Sequence, residues 1–368
     1  MTPGSTTHTD PARATTRGTR RSNPVAATAM GAALVLLALG LRGASIAGAA
    51  DGASPGADPS APAAAYTNPV LGGNFADPGV LRVDDAWYAY ATGDLTVNIQ
   101  VAHSTDLVTW ERSGEALPRL PFWQPSAKGL TWAPEVVATS AGYVMYYTGR
   151  DVQAGRQCLA VAVADAPEGP FVDTSDRPFL CQHDLGGSID PFPFQDADGA
   201  RYLLWKNDGN CCGLPTRIWI AALSVDGLAL TGDPVDVGLV NDAPWEGGLI
   251  EAPTLLVHAG TYYLLYSANA YDSALYAVGY ATSATLMGPY VDAPQSPILT
   301  SDADAAGPGG QAVVVDDEGD PWVLYHAWDP ERVGDAIGGA RSMWLDELIF
   351  TDEGLTVDGP DAGPRPAP

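Results

Sequence analysis

Three acidic residues stand at comparable places in the sequence, each beside a proline that opens an apolar stretch. Asp77 and Asp190 directly precede their prolines, and Glu251 precedes Ala252 and Pro253. Two carboxyl groups facing each other across a cleft can hydrolyse a glycosidic bond, because one protonates the leaving oxygen while the other activates water or attacks the sugar carbon. A third carboxylate nearby would raise the pKa of the acid by like-charge repulsion. The three acids therefore predict a glycosidase site, provided that the fold brings them together.

A purely structural role is the competing interpretation of these positions. Asp-Pro is common turn chemistry at the start of a strand, so Asp77 or Asp190 alone would prove little. Glu251 is harder to explain in this way, because Glu-Ala-Pro is poor turn chemistry and puts a charge beside a buried strand. Glu135 follows its proline instead of preceding it. We interpret Glu135 as a structural or rim residue.

The motif that contains these acids recurs along the chain. The residue before the proline stands at positions 77, 133, 190 and 252, at intervals of 56, 57 and 62 residues. Each motif leads through an aliphatic stretch and a turn to an aromatic stretch, such as residues 262–267, and a fifth unit begins near position 307. Five such units predict an all-β, five-bladed β-propeller of four-stranded sheets, in which the innermost strands begin close to the central axis.

Composition restricts the class of partner. The formal net charge is −26, and 41 glycines and 31 prolines suit many tight turns. An acidic surface repels nucleic acid and anionic membranes but is compatible with a neutral glycan. The sequence contains no P-loop, dinucleotide fingerprint, HExxH or GxSxG element. It therefore gives no indication of a nucleotide-binding protein, a zinc protease or a serine hydrolase. We expect a monomer that binds carbohydrate and no nucleic acid.

The first 49 residues predict a secretory signal peptide. Arg20 and Arg21 precede an apolar run over residues 25–41, and residues 47–49 offer a small-residue cleavage site. A retained membrane anchor is the alternative, since 17 residues are the short end of a spanning helix. With cleavage, the mature protein is expected to be extracellular and free of the membrane.

The remaining chain divides into three parts by composition. Residues 50–66 are rich in Ala, Pro, Gly and Asp and predict a disordered linker. Residues 67–357 hold the five repeated units and predict the catalytic propeller. Residues 358–368 form a Pro- and Gly-rich tail that we expect to be disordered.

Several segments within residues 68–357 resemble successive signatures of glycoside hydrolase family 43. They read NPVLGGNFADPGV, TWAPEV, GSIDPFPFQDADGARYLLWKND, EAPTLLVHAGTYYLLYS and GPGGQAVVVDDEGDPWVLYHAWD. The resemblance implies a five-bladed propeller and an inverting mechanism. It places the general base at Asp77, the pKa modulator and orienting residue at Asp190, and the general acid at Glu251.

Other segments resemble a narrower group within that family. NDGNCCGLPT, WEGGLIEAP and SANAYDSALYAVGYA are similar to bacterial exo-acting α-L-arabinofuranosidases that cut 1,5-linked arabinan. The expected activity is release of terminal α-L-arabinofuranosyl residues from plant cell-wall arabinan or arabino-oligosaccharides. A β-xylosidase or an endo-arabinanase with the same three acids is the nearest alternative. A non-catalytic carbohydrate-binding propeller is the alternative of another class, but it would not need three carboxylates in phase.

Five further residues are candidates for substrate binding. Trp132 resembles the family's pocket residue, and Trp245 just before Glu251 is a second stacking candidate for which rim packing is the alternative. Asn207 opens the NDGNCCGLPT segment. His326 lines the axis or the pocket floor, unless it is a core residue. Family arginines at the position of Arg341 reach the sugar or the acids.

The sequence gives no clear metal site, and no cofactor is expected. Family members often place a histidine in the fifth unit as a ligand to an ion in the central channel, but this segment reads Gly309-Gly310-Gln311. A channel Ca²⁺ is therefore in doubt. Four cysteines in an exported chain favour disulfides. Four cysteines can form two disulfides in three ways. One of them joins Cys158 to Cys181 and Cys211 to Cys212, its neighbour in the chain. Reduced thiols are the alternative.

Overall fold

A computed structural model describes residues 65–368. The predicted signal peptide and nearly all of the predicted linker lie outside the described residues. Within 65–368 the chain is built from 21 strands and four short 3₁₀ turns. No helix in this part of the chain has the length and apolarity needed to cross a bilayer.

Apart from a pair formed by the two terminal strands, the strands form five antiparallel sheets, which confirms the predicted five-bladed propeller. A terminal strand β1 is Ala65–Tyr66. The first blade holds β2 (Gly79–Val83), β3 (Ala86–Ala91), β4 (Gln100–Ser104) and β5 (Glu111–Glu115). The second holds β6 (Trp132–Thr139), β7 (Gly142–Asp151) and β8 (Arg156–Ala164). The third holds β9 (Ser188–Gln195), β10 (Arg201–Asn207), β11 (Ile218–Leu223) and β12 (Val235–Asp236).

The fourth blade holds β13 (Ile250–His258), β14 (Thr261–Ala268), β15 (Ala277–Ser283) and β16 (Val291–Asp292). The fifth holds β17 (Ala306–Val315), β18 (Pro321–Trp328), β19 (Arg341–Thr351) and β20 (Gly354–Val357), and the last strand is β21 (Arg365–Pro366). The 3₁₀ turns are His183–Leu185, Gly209–Cys212, Pro244–Glu246 and Asp335–Ile337. The second blade departs from the predicted four strands, because the outer side of β8 carries only isolated bridges, among them Leu159 with Leu180 and Val163 with Val172.

The apolar core lies between the blades. Successive residues of a strand point to opposite faces of its sheet. In β10, Leu203 packs with the second blade while Leu204 packs with the fourth, and both are fully buried. This explains why the second strand of each unit is almost continuously apolar or aromatic: each blade buries both faces against its neighbours.

The backbone bends in the same way in four blades, at the residue before the proline. Asp77, Ala133, Asp190 and Ala252 have φ of 53°, 42°, 54° and 49°. This left-handed region is costly for residues other than glycine, by roughly 1–2 kcal/mol. The ladder register shifts beside three of these bends, in the second, third and fourth blades. The repeat seen in the sequence is thus a repeated bulge that interrupts the inner strand near the axis.

The predicted disorder of the tail is wrong. β1 pairs with β21, so that Tyr66 lies opposite Arg365. The Asn68 backbone N–H donates to Ala362 O at 3.0 Å, and the Asn68 side chain bonds both the N–H and the C=O of Leu345. The Pro- and Gly-rich composition suggested disorder, but the backbone polar groups of this segment find partners on the first and fifth blades.

Both candidate disulfides are present in the structure. Cys158 is bonded to Cys181, which ties β8 to the segment before the His183–Leu185 turn. Cys211 is bonded to its neighbour Cys212 inside the Gly209–Cys212 turn. No cysteine within the described part of the chain is free.

Candidate active site

A cavity of about 1640 Å³, counted with its open mouth, lies at the end of the propeller axis where the inner strands begin. We call it the axial cavity. Its lining includes all three predicted acids, together with Trp132 and Arg341. The shared bend at the start of the inner strands explains this convergence, since it brings residues from different blades to one mouth. The structure thus brings together five of the eight predicted site residues.

Asp77 is held by residues of two blades, the first and the fifth. Its carboxylate accepts a short hydrogen bond from the Thr92 hydroxyl, and Arg341 Nη1 lies 3.4 Å from its Oδ1. The Thr92 hydroxyl also accepts the backbone N–H of Ala133 at 3.0 Å. Burial alone would raise the pKa of Asp77, but the Arg341 guanidinium and the hydrogen bond from Thr92 hold it well below its usual range. Asp77 is therefore ionised at any working pH.

His326 supports Asp77 and does not line the axial cavity. The Asp77 backbone N–H donates to its Nδ1 at 3.1 Å, which leaves the proton of the neutral ring on Nε2. Burial and the nearby Arg341 lower the pKa of His326, so the 3.2 Å approach of Nδ1 to the Asp77 carboxylate is a contact and not an ion pair. The ring is fully buried and stacks on Tyr276. The prediction of a substrate-binding His326 is corrected: it contacts Asp77 from outside the cavity.

Glu251 is held on both of its carboxyl oxygens. Lys206 Nζ donates to Oε2 at 2.6 Å, and the Tyr276 hydroxyl donates to Oε1 at 2.8 Å. Lys206 is completely buried. A carboxyl group held from two sides in this way has a fixed orientation in the cavity.

Asp190 lies beside Glu251 and interacts with it strongly. The Ala252 backbone N–H donates to Asp190 Oδ2 at 3.0 Å, so the residue after Glu251 fixes the Asp190 side chain. Burial, together with the negative charge of Glu251, raises the pKa of Asp190 to about 8 against the opposing charge of Lys206. At neutral pH this carboxyl pair therefore retains a proton.

Two aromatic contacts shape the wall around Arg341. The guanidinium lies 4.8 Å from the ring centre of Tyr271 and 5.5 Å from that of Trp328. Cation–π contact with two rings fixes the arginine where it also reaches Asp77. On the opposite side, the Trp132 indole N–H donates to Gly129 O at 3.1 Å and holds the ring at the cavity wall.

Two predicted binding residues do not reach the axial cavity. The Asn207 amide donates to Leu185 O and Pro215 O, and its oxygen accepts from Arg217 N and the Trp219 indole. With every polar atom used, Asn207 is structural. Trp245 packs on Tyr266 at 5.5 Å, with its ring edge close against the Gly279 backbone. Both predictions are corrected, because neither side chain lines the cavity.

A narrow channel of about 300 Å³ continues along the axis below the acids. It is lined by Glu135, whose pKa burial raises to about 8. Of the two interpretations of Glu135, the rim is excluded and the structural role is left. Gln311 lines the channel as well, but its oxygen accepts from Ser267 and its nitrogen donates to Ala252 O. These two bonds fix the orientation of the Gln311 amide.

The sequence interpretation missed four residues of the site. Lys206 and Tyr276 hold Glu251, Tyr271 supports Arg341, and Asp208 lines the cavity wall. Lys206 offered a signal, since it is a single charge at the end of the apolar stretch YLLW. The tyrosines offered none, because aromatic residues occur in every unit.

The chain matches the family model described as Glycosyl hydrolases family 43 over residues 66–356. The protein belongs to glycosyl hydrolase family 43. Among solved structures, this family-43 protein is similar to a thermostable family-43 glycoside hydrolase. The two share 34% sequence identity with a TM-score of 0.73, over 82% of this chain and 99% of the other.

Two curated relatives differ in the activities that their names give. The β-D-galactofuranosidase xynD of Aspergillus niger is 26% identical over 315 residues, which are 79% of this family-43 chain and 86% of the relative. A β-xylosidase of Bacillus subtilis is 30% identical over 283 residues, 71% of this chain and 49% of the relative. The chain thus spans about half the length of the xylosidase.

Proposed function

We propose that this protein is an exported, inverting glycoside hydrolase that releases terminal α-L-arabinofuranosyl residues from arabinan or arabino-oligosaccharides. The observation that carries the proposal is the arrangement of charge in the axial cavity. An ionised Asp77 held by Arg341 lies in the same cavity as a carboxyl pair, Asp190 and Glu251, that retains a proton. A base that is always ionised and an acid site that stays protonated are what hydrolysis of a glycoside needs.

The proposed roles follow from these contacts. Asp77 accepts a proton from the water that attacks the anomeric carbon, and Glu251 protonates the departing oxygen. Once Glu251 has given up its proton, its carboxylate is paired directly with Lys206. Lys206 therefore stabilises the charge that develops during the reaction more than the charge present before it, which lowers the barrier. Asp190 keeps the proton on the pair at neutral pH, and Trp132 offers an apolar face to the sugar.

The preference for a furanoside rests on the relatives. Galactofuranose and arabinofuranose, in the β-D and α-L forms, share the ring configuration and differ in the length of the chain at C4. The galactofuranosidase matches this chain over 86% of its own length, whereas the xylosidase extends far beyond the matched region. A β-xylosidase is the second candidate, favoured by the 30% identity to an enzyme of that name. Export is proposed from the signal pattern of residues 1–49, and a monomer remains our expectation.

A substrate panel tests the proposal. Purified protein is incubated with nitrophenyl α-L-arabinofuranoside, nitrophenyl β-D-xyloside, nitrophenyl β-D-galactofuranoside and linear arabinan, and the products are sized. We expect the arabinofuranoside to be the best aryl substrate and arabinan to yield only arabinose at early times. Preference for the xyloside would support the second candidate, and early oligosaccharides from arabinan would indicate endo action. No hydrolysis of any of them would contradict the proposed function.

A further inference from the structure

The wall of the axial cavity contains a carboxylate with no hydrogen-bonding partner. Asp208 follows the last residue of β10 and precedes the Gly209–Cys212 turn. Its backbone N–H donates to Gly187 O at 3.1 Å, but its side chain accepts no hydrogen bond from any residue in the described part of the chain. An aspartate at the start of a helical turn usually caps it, and this one does not.

The burial of Asp208 makes this unusual. The residue is only 7% exposed, and acids buried to that degree are normally paired. Burial raises the pKa of Asp208 to about 6 in spite of the nearby Lys206, so the group is largely ionised at neutral pH. Because Asp208 lines the axial cavity, its free acceptor atoms are available to a ligand there.

The position of Asp208 relative to Lys206 indicates which part of a substrate it would meet. Lys206 reaches Glu251 from the same strand end, two residues earlier. The departing oxygen must lie within reach of Glu251, whereas the attacking water lies on the side of Asp77. Asp208 is therefore on the leaving-group side, and its interaction with the charge of Glu251 agrees with this.

The backbone around Asp208 is tightly fixed. A Cβ on Gly186 would lie 2.2 Å from Asp208 O, so only glycine allows the two segments to pack this closely. The vicinal disulfide closes the turn after Asp208, and Cys211 Sγ lies 3.4 Å from Gly186 O. An acceptor on a rigid wall loses little conformational entropy when it binds a ligand.

We propose that the Asp208 carboxylate binds a hydroxyl of the leaving-group sugar, the residue next to the one released. This inference rests on the proposed glycosidase function and adds a specificity residue to it. A carboxylate is the strongest acceptor a protein offers to a sugar hydroxyl, because the hydrogen bond is charge-assisted. The binding site would favour a carbohydrate leaving group over one without hydroxyls.

Three substrates with the same terminal sugar separate this role from an effect on the acid. The terminal sugar is the one that the wild type releases fastest. The three substrates are a disaccharide of this sugar, the methyl glycoside of this sugar and the nitrophenyl glycoside of this sugar. The disaccharide and the methyl glycoside both need protonation of a poor leaving group, but only the disaccharide offers leaving-group hydroxyls. We expect Asp208→Asn to lower kcat/KM about tenfold or more on the disaccharide, mainly through KM, and less than about twofold on the other two.

The controls follow from the same comparison. Asp184→Asn removes an exposed acid from the neighbouring 3₁₀ turn and should change none of the three values. The ratio of the rates on disaccharide and methyl glycoside does not depend on how much of the variant is folded. Asp208→Ala should lower this ratio, as Asp208→Asn does. An equal fall in kcat/KM on the disaccharide and the methyl glycoside would mean that Asp208 acts through the acid. No fall in kcat/KM on either substrate would mean that its carboxylate has no binding role. Either result overturns the inference, whereas a wild type inactive on all three contradicts the proposed function instead.

Discussion

Lys206 Nζ lies 2.6 Å from Glu251 Oε2, although the Lys206 side chain is completely buried. A buried ammonium is costly unless it is paired. Here the pair joins the third blade to the fourth at the point where the proposed acid must be held. The same pair should therefore influence both the stability of the fold and the chemistry of the cavity.

Glu251→Gln should remove almost all activity on natural glycosides. An unassisted alkoxide is a poor leaving group, and general acid catalysis contributes roughly 10²–10⁴-fold. An aryl glycoside with an activated leaving group should retain much more of its rate. Steady-state rates on arabino-oligosaccharide and on nitrophenyl glycoside measure this difference. Near wild-type hydrolysis of the oligosaccharide would take Glu251 out of the acid role.

Lys206→Met should destabilise the fold by about 3 kcal/mol, because it leaves Glu251 without its cation in a buried position. Urea unfolding followed by tryptophan fluorescence gives the change in the free energy of unfolding. The double variant Lys206→Met, Glu251→Leu is the matched control and should recover part of the loss, since it removes the remaining charge. A double variant less stable than the single one would mean that packing, and not the ion pair, dominates.

Asp190→Asn should move the basic limb of the pH–rate profile to lower pH. In the wild type, burial and like-charge repulsion raise the pKa of Asp190 to about 8, so the carboxyl pair keeps its proton up to that region. Without the second carboxylate this repulsion is lost, and the proton needed for catalysis leaves at lower pH. The profile of kcat/KM from about pH 4 to pH 10 shows the shift. An active variant with an unmoved limb would exclude Asp190 as a modulator.

Arg341→Leu should move the acidic limb of the pH–rate profile, which in the wild type lies below the ordinary pKa range of an aspartate, to higher pH. Arg341 holds the pKa of Asp77 well below its usual range, so its loss lets Asp77 take up a proton at higher pH and lose its function as a base. Arg217→Leu is a suitable control, because Arg217 pairs only with Asp236 at the surface. If both variants keep the wild-type acidic limb, Asp77 does not depend on Arg341.

The first sugar released from an α-arabinofuranoside should be the β anomer. Asp77 and Glu251 belong to the first and fourth blades, and we expect their separation to leave room for a water molecule, as in inverting enzymes with carboxyl groups about 6.5–9.5 Å apart. Proton NMR of the anomeric signals in the opening minutes detects the product before mutarotation. An initial α product would indicate a covalent intermediate on Asp77.

The propeller and its three acids could be predicted because they depend on a long-range period. Positions 77, 133, 190 and 252 share a motif in the sequence and a left-handed bend in the structure. Asn207 and Trp245 were misplaced because proximity to a motif does not determine which way a side chain points. Asn207 faces Leu185 and Pro215, and no local pattern reveals this.

The tail and Lys206 were missed for a different reason. Both depend on partners more than 40 residues away in the chain: Lys206 on Glu251, and the tail on Asn68 and Tyr66. Composition describes a segment by itself, so Pro- and Gly-rich residues were read as disordered. Whether such a segment is ordered depends on backbone groups elsewhere that need hydrogen bonds.

Asp77 lies at the seam where the ring of blades closes on itself. It comes from the first blade, whereas His326 and Arg341 come from the fifth. The β1–β21 pair and the Asn68 side chain fasten that seam a short distance away in the chain. If the ring opened between the first and fifth blades, every blade would stay intact, but Asp77 would be separated from the groups that hold it. We therefore expect activity to depend on closure of the ring, so that changes in the terminal β1–β21 pair should affect the cavity from a distance.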